Sequence, residues 1–373
     1  MLLTPKHIEF QDRVREFAQK EVAPLSAHLD KTGEFSLTLF KKLGESGLLG
    51  IPFPKEYGGA GLDTLSYAIA VEEISRVCGS TGIFVAAHIS LGCSPIWIAG
   101  NEEQKQKWLI PLARGEKTGS FGLTEPNAGS DAAGTETTVK KVGNKYIING
   151  AKRFITSGAI GEVITFTATH DKSKGSHGIS AFVVEKGTPG YSAGKDEDKL
   201  GLRGSITSEL IFEDCAIPCE NLLGCEGEGF KVFMKTLDGG RISIGALALG
   251  IAQGALDAAI EFAKNSGQHK EQSIQGLIAD MATRVAAARG LIYQASMLKD
   301  AGSPYTKEAA MAKFYAAEIG MWVCTQAVEI CGIAGVTKKY NVERFIRDVK
   351  LTEIGEGTSE IQKIVIAREI LGK

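Results

Sequence analysis

The chain lacks an excess of either charge: 42 Lys and Arg are set against 44 Asp and Glu, a formal net charge of −2 over 373 residues. Without a basic field or a concentrated Lys/Arg run it cannot track a phosphate backbone, so nucleic acid is not an expected partner. Disulfide-framework spacing is missing too. Seven cysteines at irregular positions in so long a chain read as reduced thiols. Cys215, Cys219 and Cys225 cluster, but paired spacing and a fourth ligand are absent, and neither His170 nor His177 stands at a suitable offset, so no metal site is expected. The stretch Val77–Asn101 holds no Asp, Glu, Lys or Arg, yet its Ser, Thr, Gly, His and Pro residues suit a buried core helix better than lipid, and no membrane span is expected. The opening MLLTPKHIEFQDRVREF has no apolar signal core and predicts the first helix of a cytoplasmic protein.

What is present is an ordinary globular composition, 43% hydrophobic and 23% charged, with material for more than one domain. From Pro5 to about Arg114 the apolar spacing is helical, as in Leu39, Leu43 and Leu48, interrupted by a loop from Pro52 to Gly61. Between about Phe121 and Leu223 short β-branched runs take over: Tyr146–Ile148, Val163–Phe166, Ile179–Val184 and Leu210–Phe212, read as antiparallel strands. From Phe230 onward Ala-rich helical faces return through Ala246–Ala263, Leu277–Leu298 and Lys307–Cys331. The pattern predicts an α+β protein with a helical domain over 1–117, a β domain over 118–225 and a helical bundle over 226–373.

Two segments carry chemistry. Ile354-Gly355-Glu356-Gly357-Thr358-Ser359-Glu360 sets a carboxylate between glycines before an apolar helix that Thr358 or Ser359 can cap, which suits a catalytic base, although on these residues alone a helix-capping loop with a solvated Glu is the favoured reading. Phe121-Gly122-Leu123-Thr124-Glu125-Pro126-Asn127-Ala128-Gly129-Ser130-Asp131 offers backbone, hydroxyls and a proline-fixed turn to a planar or phosphorylated ligand, or serves as a structural loop.

This second segment closely resembles the flavin loop of the acyl-CoA dehydrogenase family. Further matching stretches come in the family's order: Gly150–Thr156, Lys199–Ser205, Leu237–Arg241, Arg347–Glu353 and the Glu356 loop. The resemblance spans essentially the whole chain. It implies a helical domain, a middle β-barrel-like domain and a C-terminal four-helix bundle, with FAD held between them in a homotetramer. It also implies dehydrogenation of an acyl-CoA thioester to the 2,3-enoyl-CoA, with electrons passed to an electron-transfer flavoprotein. By the same resemblance Glu356 is the base. Phe121, Leu123, Thr124, Gly129, Ser130, Phe154, Ile155, Thr156, Glu329, Gly332, Thr358 and Glu360 contact FAD. Ser130, Asp238, Arg241, Gly355, Glu356 and Gly357 contact substrate. Read without the resemblance, Asp238 and Arg241 are a helix-surface charge pair of little weight.

The chain departs from the family at four places. Phe154 replaces a usual Trp. Asn265–Lys270 lacks an Arg-x-x-Phe-Gly element that reaches a neighbouring subunit's FAD, and Glu329-Ile330-Cys331-Gly332-Ile333 alters a Gln-x-x-Gly-Gly adenine loop. Gly355 stands where members with straight-chain substrates carry Tyr, which predicts room for a branched or cyclic acyl group. The altered FAD segments keep a second reading open, a noncatalytic acyl-CoA-binding protein without FAD; acyl groups on a carrier protein are a third.

Overall fold

The structure, a computed structural model, describes residues 3–372. Helices come first: α1 (Pro5–Phe17), α2 (Ser26–Thr32), α3 (Leu37–Glu45), α4 (Thr64–Ser75), α5 (Gly79–Ala87), α6 (Ser94–Ala99), α7 (Glu102–Gln104) and α8 (Ile110–Ala113). Their starts follow local chemistry. Pro5 occupies the first turn of α1, where no N–H is needed, and Asp63 caps α4 by accepting from the Ser66 N–H at 2.7 Å.

The strands are β1 (Gly119–Gly122), β2 (Thr138–Val142), β3 (Lys145–Thr156), β4 (Val163–Thr169), β5 (Ile179–Glu185), β6 (Tyr191–Asp196), β7 (Thr207–Pro218) and β8 (Leu222–Leu223). They form one sheet in the order β6-β7-β3-β2-β4-β5-β8, with β1 beside β4. All four expected strand runs lie inside β3, β4, β5 and β7, but the antiparallel expectation needs correction: β1 and β2 both pair with β4 in parallel. The sheet curls round a core of its own, in which Tyr146, Phe166, Phe182 and Phe212 are buried and the Phe166 and Phe212 rings stack at 4.6 Å.

The C-terminal helices are α9 (Gly229–Ser266), α10 (Gln272–Asp300), α11 (Thr306–Cys331), α12 (Val342–Val349) and α13 (Ser359–Leu371). Helix α9 runs through the centre, and its glycines explain how closely the others approach. A Cβ on Gly250 would lie 2.3 Å from the Glu72 carbonyl of α4, and one on Gly254 2.1 Å from the Arg76 carbonyl. These positions, four apart, form a small-residue ridge on which α4 rests. Helix α10 holds α4 at both ends: Asp300 accepts from the Thr64 and Leu65 N–H groups at 2.8 and 3.2 Å, while Arg289 and Tyr293 both donate to Glu72 at 2.9 Å. Gly79–Ala99 and α9 are long and apolar enough to cross a membrane, but 72% and 83% of their apolar windows are buried inside the protein, as core helices are.

Helix α12 bolts the β domain to the bundle. The buried Asp348 carboxylate accepts from the Leu202 N–H at 2.6 Å, and Leu202 itself has a left-handed backbone (φ 51°). Arg347 forks onto Asp30 at 2.8 and 2.7 Å. Replacing Asp348 by Ala orphans a buried N–H and removes the counter-charge of the buried Arg344, so a destabilisation of about 1–3 kcal/mol or more is expected, read as a lowered urea midpoint.

Candidate active site

Beyond α12 the chain makes a tight turn, Glu356 at φ 52° and Gly357 at φ 91°. A left-handed non-glycine residue costs roughly 1–3 kcal/mol and persists only where its surroundings hold it. Here two fully buried side chains do so. Gln362 Nε2 donates to the Glu356 and Gly357 carbonyls at 3.3 and 2.9 Å, and Lys313 Nζ donates to the Gly357 carbonyl at 2.6 Å. Thr358 caps α13 by accepting from the Ile361 N–H at 3.3 Å.

The turn aims the Glu356 side chain inward. Both carboxylate oxygens are buried without a hydrogen-bond partner. They lie over Gly240 of α9: a Cβ there would be 2.1 Å from Oε2 and 3.6 Å from Leu91 Cδ2. Burial pushes the carboxyl up to about 7, and the nearby charges of Lys313 and Arg241 pull the other way without restoring an ordinary value. Near neutral pH the group therefore both holds and releases a proton, as acid–base work requires. The solvated-cap reading fails for Glu356, since Thr358 alone does the capping. The Glu356 N–H donates no hydrogen bond among the described residues.

Arg241, the residue after Gly240 in α9, is also buried. Its Nη1 donates to Asp238 Oδ1 at 2.5 Å, Thr306 Oγ1 donates to Asp238 Oδ2 at 3.1 Å, and Arg241 Nε has no partner. Arg241 is thus interior and Asp238 half-buried, contrary to the surface reading of their spacing.

The loop after β1 is tied down at several points. Phe121 stacks on Phe233 of α9 with centroids 4.2 Å apart. Glu125, buried, accepts from Lys152 Nζ at 2.5 Å and from the N–H groups of Glu136 and Thr137 at 2.6 and 3.2 Å. The Arg153 N–H donates to the Thr124 carbonyl at 2.8 Å, tying the loop to β3. There β3 bulges between Lys152 and Ile155, so Phe154 (φ 58°) turns out of the sheet and stands 58% exposed, with the Arg153 guanidinium 5.1 Å from its ring centre. Leu123, Thr124 and Thr156 are half-buried, Gly129 and Ser130 exposed, and Ile155 buried, leaving only its backbone for a ligand. An exposed aromatic ring held in a bulge, with Thr156 two residues on and Thr124 tied to the neighbouring Arg153, fits one side of a flat polycyclic ligand such as a flavin.

One wall escapes sequence reasoning. Between α5 and α6 the helix widens into a π turn over His88–Cys93, a form frequent at functional sites. Leu91 reaches the Glu356 carboxylate side, and Gly92 lies against Gly119 of β1, where a Cβ would meet backbone at 2.9 Å. His88 accepts from the Gly119 N–H at 3.2 Å and contacts the Leu112 carbonyl at 2.9 Å, which fixes the tautomer with the proton on Nε2. Burial lowers its pKa to about 4, so it is neutral.

Not every expected position converges. Phe233, beside Phe121, sits near the start of α9, and at about 1.5 Å per residue Ser266 lies roughly 50 Å further along. Asn265–Lys270 is thus far from the Phe121 loop of its own chain. Glu329 and Gly332, both exposed, lie roughly 24 and 28 Å beyond Lys313 along or just past α11. Glu360 is exposed on the first turn of α13. Sequence reasoning misses Lys313, Gln362 and Gly240. Lys313 does carry a signal, since it falls on the buried helical stripe Ala309, Ala312, Ala316, Ala317 and Gly320, where a lone cation is out of place.

Fold and site define a class: a β domain between two helical domains, with an unpaired buried carboxylate and a cradle for a planar ligand. The chain belongs to the acyl-CoA dehydrogenase family, whose N-terminal, middle and C-terminal domains match residues 4–116, 120–215 and 227–371. It is 52% identical to the short-chain specific acyl-CoA dehydrogenase of Clostridium acetobutylicum, over 99% of this chain and 98% of that one. Butyryl-CoA dehydrogenase from Megasphaera elsdenii superposes with a TM-score of 0.97 at 44% identity, covering 100% and 99% of the two chains. A chain from a structure described as the electron transferring flavoprotein of Acidaminococcus fermentans superposes at 0.99 with 51% identity, covering 100% of both.

Proposed function

We propose that this chain removes two hydrogens from a short acyl-CoA thioester to give the 2,3-enoyl-CoA, with Glu356 taking the α proton. The buried carboxylate, free of hydrogen bonds and poised near neutrality, carries the reading. The Glu356 N–H, which donates no hydrogen bond among the described residues, would donate to the thioester oxygen as enolate charge grows, a contact of the kind whose loss costs about 2.7–4 kcal/mol. Asp238, Arg241, Gly355, Gly357 and Ser130 complete the substrate contacts. FAD, when bound, supplies the acceptor for the β hydride.

Phe121, Leu123, Thr124, Gly129, Ser130, Phe154, Ile155 and Thr156 would hold the flavin, with Thr358 and Glu360 beside it. Glu329 and Gly332, remote within one chain, would serve a neighbouring subunit's FAD in a homotetramer. The units are assigned to 1–117, 118–225 and 226–373, the setting to the cytoplasm, and the electron acceptor to an electron-transfer flavoprotein. Anaerobic addition of butyryl-CoA to the purified protein tests the reading: the flavin absorbance is expected to bleach, and a colourless protein that binds acyl-CoA would replace it with the noncatalytic alternative.

Gly355 bears on the acyl group. The nearest atoms a Cβ there would meet belong to Leu351, at 3.5–3.9 Å, ordinary contact distances, so packing does not demand glycine. The missing side chain leaves space next to the base for a branch. Gly355→Tyr is expected to fold and to lower kcat/KM for isobutyryl- or isovaleryl-CoA about tenfold or more relative to butyryl-CoA. Strong preference of the unaltered protein for straight chains would refute this assignment.

A further inference from the structure

We propose that Lys313 is a positioning residue for the reaction: from the middle of α11 it clamps the carbonyl of Gly357 and places a fixed positive charge beside the Glu356 carboxylate. This rests on Glu356 being the base. The placement begins with the α9–α11 crossing, where a Cβ on Gly245 would lie 3.5 Å from the Lys313 backbone, so that two helices meet closely beneath the turn. Lys313 is fully buried, and its single hydrogen bond goes to the Gly357 carbonyl at 2.6 Å. It makes no ion pair with Glu356, whose oxygens are unpartnered. The cation thus steadies the backbone by contact and the carboxylate only through space. A base held in this way has no bond of its own to break when it takes a proton.

A buried lysine without a carboxylate in contact is costly to keep. Desolvation lowers Lys313 to about 8, so it is still charged at neutral pH. The other charges acting on the pair are Arg241 from α9 and Glu353 and Glu360 from the segments flanking the turn, while the buried Tyr67 hydroxyl of α4 feels the Glu356 charge and stays neutral. Gln362 holds the same carbonyl at 2.9 Å with no charge and provides the internal comparison. Removal of either donor loosens the turn, whereas removal of Lys313 alone also takes away the charge.

The experiment is a 13C-carboxyl NMR titration of Glu-labelled full-length protein, with the Glu356 resonance assigned by its loss in Glu356→Gln, run alongside pH profiles of kcat/KM. In Lys313→Met the Glu356 midpoint, about 7 in the parent, is expected to rise by about one pH unit, because the carboxylate loses a neighbouring cation. The acidic limb of the profile moves with it. Turnover at neutral pH falls roughly 10- to 100-fold. Gln362→Met is expected to lose activity with the midpoint unmoved, and Lys313→Arg to keep the parent midpoint. Lys313→Gln, also uncharged, takes the place of Lys313→Met should that variant not fold. An unmoved midpoint in the uncharged variants would overturn the proposal. Retained turnover in Glu356→Gln would instead overturn the assignment of the base, leaving the NMR result to judge Lys313 by itself.

Discussion

Glu356→Gln is expected to bind flavin, to fold, and to lose at least 10²–10⁴-fold in turnover, the contribution of a positioned base. The amide keeps the size of the side chain and the backbone clamps at Gly357, so the loss reports the proton transfer alone. A stability signature accompanies it. The carboxyl is raised from 4.5 to about 7 by burial, so the folded state binds this proton more tightly than the unfolded chain. Its contribution to stability is full below about pH 4.5 and is lost as pH rises through 7, where an unpaired charge must be kept buried. A neutral amide avoids that cost, though Lys313 and Arg241 then lose a nearby opposite charge. The variant should therefore gain roughly 1–3 kcal/mol relative to the parent at pH 8 and little at pH 4, measured by urea unfolding. An equal effect at both pH values would show that the carboxylate is not buried in solution.

Gly240→Ala is expected to separate activity from stability in the opposite sense to an ordinary core change. In a helix interior Ala is favoured over Gly by about 1 kcal/mol, and at this site the obstacle is the end of a flexible side chain, not backbone. The new methyl would stand 2.1 Å from Glu356 Oε2, so the carboxylate must swing away. A displacement of about 1 Å at a reacting group can cost 10²-fold. The expected outcome is a protein at least as stable as the parent, with kcat reduced about 100-fold. Parent-like kcat in a folded Gly240→Ala protein would show that the carboxylate does not work from this position.

Much of the frame is legible in the residues. Alternating β-branched runs mark β3, β4, β5 and β7 because those strands bury apolar side chains. β1 reads Gly-Ser-Phe-Gly and β6 Tyr-Ser-Ala-Gly-Lys-Asp, sequences with no alternation to detect. β1 owes its place to β4, distant in the chain, which is information that local pattern does not carry, while β6 lies along the next strand, β7, without burying an apolar face of its own. The same holds at the site. The glycines around Glu356 announce a special turn, and Thr358 announces the cap. What makes Glu356 more than a capping-loop residue is the surface it meets, and that surface comes from α9, α11 and the π turn. Asp238 and Arg241 are legible as a pair, but their i,i+3 spacing is the same on an exposed helix and an interior one. Only the packing of α9 at the centre of the bundle decides between them.

The π turn at His88–Cys93 also limits how this protein can vary in length. It accommodates an extra residue in the helical repeat, so deleting one residue there would restore the ordinary repeat and rotate the helix beyond it by about 100°. Leu91 would leave the carboxylate and Gly92 would leave β1 in the same motion. Side chains along the turn can be exchanged one at a time, but the number of residues in it is counted jointly by two domains.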